Sequence, residues 1–116
     1  MANKTTVYSL PHENLIAYQV ACQLLVVIVE ARIRDPGLRD QALRAAKSAC
    51  LNIAEANGRQ SIADRKRVFA IARGEAGEAG AAMHIAGLAG ECAKERADAA
   101  RALSARTIAL LTGLLR

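Results

Sequence analysis

Residues 38–59, LRDQALRAAKSACLNIAEANGR, decide the fold. The stretch is bounded by Pro36-Gly37 and by Asn57-Gly58, and between those breaks it reads as one helix with two unlike faces. At about 100° per residue, Ala42, Leu43, Ala46, Ala49, Cys50 and Ile53 fall together as an apolar stripe. Gln41, Arg44, Ser48, Asn52, Glu55 and Arg59 fall opposite. The first stripe is built to pack a core; the second is either solvated or functional.

The same periodicity runs through the flanks. A chain of 116 residues fits one domain with a single core. It is 53% hydrophobic but 3% aromatic and has no Trp, so alanine and aliphatic side chains must fill that core, and alanine favours helix. No segment alternates like a strand. The spacing predicts four helices, over about 12–34, 38–57, 61–89 and 91–115. Pro11 suits a helix start, Pro36-Gly37 ends the first helix, and Gly58 is expected to cap the second in a left-handed conformation. Ser61 with Asp64 three residues on reads as an N-cap for the third helix, and Gly90 ends it. Short connections favour antiparallel neighbours, so the expected fold is an all-α, antiparallel up-down four-helix bundle spanning residues 1–116.

Two helices carry more apolar surface than one bundle core uses. Residues 24–29, LLVVIV, are apolar all the way round, whereas a bundle helix needs about three apolar positions per heptad. The excess predicts self-association through Leu24, Val26 and Val27. In the third helix Val68, Phe69, Ala72, Ala76, Ala79, Met83 and Ala86 form the core stripe. Opposite them Ala70, Gly74, Gly77 and Ala81 line up, and Gly74 and Gly77 suggest close approach of another backbone, or tolerance of small residues in an alanine-rich chain.

The charge of +5 is uneven: residues 32–73 carry +6 and the remainder −1. The surplus lies on helix 2, the start of helix 3 and the adjoining loops. Arg39, Arg44, Lys47, Arg59, Arg65, Lys66 and Arg67 are the candidate contacts to the phosphates of RNA or DNA, against the plainer reading of a solvated basic surface. No aromatic residues interleave with them, so base stacking is not indicated and binding is expected to be electrostatic. An adaptor role toward a protein partner is the alternative.

Nothing in the sequence points to catalysis, a cofactor or a metal. There is no His-Glu-x-x-His, Cys-x-x-Cys or phosphate-binding glycine loop, and Glu78 has Ala81 rather than His three residues on. His84 lies off the core stripe and is expected at the surface, and no local motif pairs a cysteine with His12 or His84. Cys22, Cys50 and Cys92 are odd in number, distant in sequence and placed in helical apolar patterns, which suits buried reduced thiols in a cytoplasmic protein. Residues 1–9 are polar and lack the apolar core of a signal peptide, and residues 16–29 are too interrupted for a membrane span. Ser48, Asn52 and Glu55, with Glu78, are expected to form a structural polar network that fixes packing against a neighbouring helix or subunit.

Asp40-Gln41, Arg44-Ala45-Ala46, Ser48, Asn52-Ile53-Ala54-Glu55 and Gly58-Arg59 together resemble the signature of the four helix bundle protein family, also called the 23S rRNA-intervening-sequence or S23 family. Leu15, Tyr18-Gln19, Ala21 and Leu24 resemble its first helix, and Phe69, Ile71-Ala72, Gly74 and Glu78 its third. Cys50, Ala56 and Glu75 depart from the family's usual proline, glycine and serine. The resemblance implies a homo-oligomer, typically a pentameric ring, encoded in some cases within rRNA intervening sequences. A related group, the accessory proteins of diversity-generating retroelements, implies contact with nucleic acid and a reverse transcriptase. It implies no catalytic residues.

Overall fold

The apolar stripes become helix-packing faces in the computed structural model, which describes residues 9–116; residues 1–8, where no signal sequence is expected, lie outside the described residues. A single 3-10 turn at Pro11–Asn14 precedes α1 (Ile16–Ala31), α2 (Pro36–Gly58), α3 (Ile62–Leu88) and α4 (Lys94–Leu114). No strand occurs among the described residues. The main packings are α1 on α2, α2 on α3, α3 on α4 and α4 on α1, with α2–α3 the most extensive. No described helix is long and apolar enough to cross a membrane.

Helix ends show where local chemistry differs from the periodicity. The expected first helix is divided: Leu15 is extended (φ −75°, ψ 126°) between the 3-10 turn and α1. Its far end comes at Ala31, because Arg32 adopts a left-handed conformation at φ 51°. Pro36 does not merely end the previous helix. It occupies the first turn of α2, where its missing N–H costs nothing, and the Asp35 carboxylate accepts a bond from the Leu38 N–H at 2.8 Å. Ser61 caps α3 as the sequence predicts, its Oγ accepting from the Asp64 N–H at 3.1 Å. Residues 91–93 are loop rather than the start of α4, which moves Cys92 off a helix.

Gly58 corrects a second expectation. It remains helical, with extended Arg59 as the cap, and the left-handed glycine is Gly90 at φ +70°. Alanine at 58 meets nothing within 4 Å, so Gly58→Ala is expected to gain up to about 1 kcal/mol of stability from helix propensity. Gly90→Ala is expected to lose about 1 kcal/mol, because a Cβ is strained at positive φ. Paired urea titrations check both signs.

The core has two lobes. One gathers Leu24, Ile28, Ile33, Ala42, Met83 and Ala100; the other gathers Ala21, Cys50, Ile53, Phe69 and Leu111. Every member of the predicted α3 stripe is buried, and so are five of the six α2 stripe residues, Leu43 being partly so. The close backbone approach lies on a different α3 line from the expected one. Gly74 faces open space and Gly77 makes only ordinary contact with Ile108. Gly80 and Gly87 are the positions α4 crowds: a Cβ at Gly80 would sit 2.7 Å from the Ser104 Cβ, and one at Gly87 2.6 Å from that of Ala97. Ser104 lies so close that its buried hydroxyl donates to the Ala76 carbonyl at 2.8 Å.

Candidate nucleic-acid interface

The basic residues are distributed along α2 and around the α2–α3 junction, and the structure sorts them by what neutralises them. Arg39 and Arg59 sit near opposite ends of α2, about 30 Å apart at 1.5 Å per residue, so the seven candidates do not form one cluster. Arg39 is turned toward the preceding loop, donating to the Ile33 carbonyl at 3.1 Å.

At the junction, Arg59 pairs with Glu55 on its own helix and with Asp64 on α3 at 3.3 Å. Arg67 also binds Asp64, at 2.8 Å. Glu55, Arg59, Asp64 and Arg67 therefore make one chain of alternating charge that ties the end of α2 to the first turns of α3. This gives Arg59 and Arg67, both candidate phosphate contacts, carboxylate partners within the chain. The arrangement sets protonation as well. The Arg67 guanidinium, with Arg59 beside it, holds the Asp64 carboxyl below its ordinary 3.8, and the Glu55 bond, with Asp64, keeps Arg59 charged. A carboxylate with a lower pKa folded than unfolded adds stability above the unfolded value and loses it as pH falls through the folded one. The junction is expected to hold above about pH 4 and to weaken below it, and Asp64→Asn to remove that share of the acid dependence in melts followed from about pH 6 to about pH 2.

Five of the candidates make no ion pair among the described residues: Arg39, which donates to the Ile33 carbonyl, and Arg44, Lys47, Arg65 and Lys66. Arg44 and Lys47 line a shallow groove along α2 with Ser48, Leu51, Asn52 and two carboxylates, Asp40 and Glu55. Leu51 projects from it, 71% exposed. Arg65 and Lys66 meet Arg116 at a pocket between the start of α3 and the end of α4, walled by Ile62, Phe69 and Leu114. Three cations line this pocket and no carboxylate side chain does, which suits it to an anion. Arg116 was not a sequence candidate; only the packing of α4 on α3 brings it there. On α4 itself Lys94 and Arg101 pair with Asp98, and Arg96 with Glu30 of α1.

The expected polar network is smaller than the sequence suggests. Asn52 donates to the Ser48 carbonyl at 2.8 Å and to the Ser48 Oγ at 3.1 Å, a contact within one helix. Glu55 reaches α3 only through Arg59 and Asp64. Glu78 is exposed, far along α3, and belongs to no ion pair among the described residues. His84 is exposed, near Asp98. No three metal-ligating side chains come together among the described residues.

The outward apolar surface is also redistributed. Leu24 is fully buried in the chain's own core, so it cannot belong to a surface contact; the exposed members of its run are Val26 and Val29, at 52% and 55%, with Val27 half-buried. On α3, exposed residues recur at spacings of three and four, as Ile71, Gly74, Glu78, Ala81, Ile85 and Leu88. That helix is apolar on both faces, one spent on the core and the other open.

Four helices around an alanine-rich core define an all-α protein. The chain matches the family model described as 23S rRNA-intervening sequence protein over residues 13–113, and it belongs to that family. Comparison with curated proteins finds no match.

Proposed function

We propose that the chain is a non-enzymatic, oligomeric protein that binds RNA or DNA through phosphate contacts. The observation that carries this reading is the meeting of Arg65, Lys66 and Arg116 in a pocket without a carboxylate side chain. Arg44 and Lys47 add two cations along α2, in a groove that Asp40 and Glu55 also line. Membership of a family described by an rRNA intervening sequence favours RNA as the ligand. The test is fluorescence anisotropy with a structured RNA at about 50 mM salt, where phosphate contacts are strong. Saturable binding supports the proposal; absence of binding there, with stoichiometric capture of a protein free of nucleic acid, supports the adaptor reading.

We further propose an antiparallel up-down arrangement assembled as a ring, a pentamer by family resemblance, in the cytoplasm. The pairs Arg73–Thr112, Gly77–Ile108, Gly80–Ser104 and Gly87–Ala97 support the first point, since numbers fall along α4 as they rise along α3. The open faces of α1 and α3 support the second. They are unlike surfaces on helices that do not share one of the main packings, which suits head-to-tail contact and ring closure. Val26, Val27, Gly74 and Gly77 are the proposed contact positions. Val26→Asp is expected to dissociate the ring, or to aggregate the protein, in light scattering; a ring of unchanged mass would place the interface elsewhere.

A further inference from the structure

On the phosphate-binding reading above, on which this rests, we propose that the pocket between the start of α3 and the end of α4 is a strand-end site. It takes the terminal phosphomonoester of an RNA in preference to an internal phosphodiester. Ile62, Arg65, Lys66 and Phe69 are spaced so that they share one face of the first two turns of α3. Leu114 and Arg116 close the pocket from the end of α4. Phe69 is buried and makes an apolar floor, whereas Ile62 stands exposed at the rim. Arg65, Lys66 and Arg116 make no ion pair among the described residues. Asp64, the acidic residue nearest Arg65 in sequence, is held by Arg59 and Arg67 and does not line the pocket.

Size, charge and shape select between the two kinds of phosphate. The cavity measures about 240 Å³. Pockets that enclose a whole drug-sized ligand run from about 300 to about 1,000 Å³, so this one suits a single charged group with a short apolar neighbour. A terminal monoester carries about −1.5 to −2 near neutral pH and presents three strong acceptor oxygens. An internal diester carries about one charge, has two free oxygens and continues as chain on both sides. Three cations around one concavity match the monoester in charge and in number of acceptors. Shape acts in the same direction. A diester would have to run its chain across the walls at Ile62 and Leu114 twice, in and out. A monoester has one ester link, so it enters head-first and leaves its ribose against those two side chains. Because Phe69 is buried, contact with the terminal nucleoside is apolar rather than stacked.

The test uses the full chain and one hairpin RNA with single-stranded ends and an internal fluorophore. The RNA is prepared with a 5′-monophosphate, with a 3′-monophosphate, or with hydroxyls at both ends. Anisotropy is read at about 150 mM salt, where diffuse contacts are screened. At least one monophosphate form is expected to bind roughly 10- to 30-fold more tightly than the hydroxyl form. In Arg65→Ala/Lys66→Ala/Arg116→Ala the three forms should bind within about twofold of one another, because the groups that tell them apart are gone. Arg44→Ala/Lys47→Ala should weaken every form and keep the ratio. Adenosine monophosphate should bind at least about tenfold more weakly than the end-phosphorylated RNA, which has the cations of α2 to hold it as well. Equal affinity of the three RNAs would overturn the strand-end assignment and leave the proposed function standing. No binding of any of them, at about 50 mM salt as well, would overturn both. A preference that survives the triple variant would place the strand end elsewhere, and adenosine monophosphate bound as tightly as RNA would make the ligand a free nucleotide; either result overturns the assignment.

Discussion

Removing the three cations of the α3–α4 pocket together, as Arg65→Ala/Lys66→Ala/Arg116→Ala, is expected to weaken RNA binding by roughly 30- to 100-fold at about 50 mM salt. Each lost phosphate contact should also flatten the dependence of log affinity on log salt by about 0.9, so the triple variant should lose about 2.7 from the slope. The contrasting variant is Arg59→Ala/Arg67→Ala. It removes nearly as many charges from the same end of the molecule, but Glu55 and Asp64 already neutralise them. Its effect on affinity is expected to stay within about threefold, because exposed ion pairs leave little free charge for a polyanion. Anisotropy titrations of the two variants side by side separate a specific pocket from a diffuse basic surface. Equal losses would mean that net charge alone governs binding.

Placing a large side chain at the α3–α4 crossing is expected to produce the largest loss of stability. In Gly80→Leu the first added carbon would lie 2.7 Å from the Ser104 Cβ, before the rest of the side chain is considered. α4 must then move off α3, which breaks the bond from the Ser104 hydroxyl to the Ala76 carbonyl and loosens a buried surface. Overpacking of this kind costs about 3 kcal/mol, and leaving buried polar groups unpaired adds about 1 kcal/mol or more. The better helix propensity of leucine returns less than about 1 kcal/mol. Urea denaturation is therefore expected to show a loss of at least about 3 kcal/mol, or a chain that no longer folds. A variant as stable as the parent would mean that the helices are not held at the separation described.

Much of the fold is legible in the sequence because helical periodicity reports which face of each helix is buried. The stripe from Val68 to Ala86 and the Ser61 cap are both local features, and both stand in the structure. What periodicity leaves open is the identity of the neighbour. The glycine line at Gly74 and Gly77 and the one through Gly80 and Gly87 look alike in sequence, and only the position of α4 makes the second the crowded one. Gly58-Arg59 resembles a left-handed cap by composition, yet the junction ends the helix differently. Arg59 takes the extended cap position and its side chain reaches Asp64 across the loop.

The candidate site was legible to the same degree and for the same reason. Arg65 and Lys66 are visible as part of a charge surplus confined to residues 32–73. Their partner Arg116 lies outside that segment, and the neutralisation of Arg59 and Arg67 depends on a loop that folds Asp64 back between them. Leu24 illustrates the limit on the apolar side. A run of six apolar residues signals surplus surface, but the angular position that separates buried Leu24 from exposed Val26 is set by how α1 rotates against α2 and α4.

The most direct test of the central claim is the salt dependence of RNA binding by the unmodified protein. With Arg44, Lys47, Arg65, Lys66 and Arg116 in contact with phosphates, log affinity should fall with log salt at a slope of about −4 per bound subunit. That corresponds to more than about a hundredfold loss between about 50 and about 200 mM. A slope near zero, or no binding at about 50 mM, would contradict the assignment of this surface to nucleic acid.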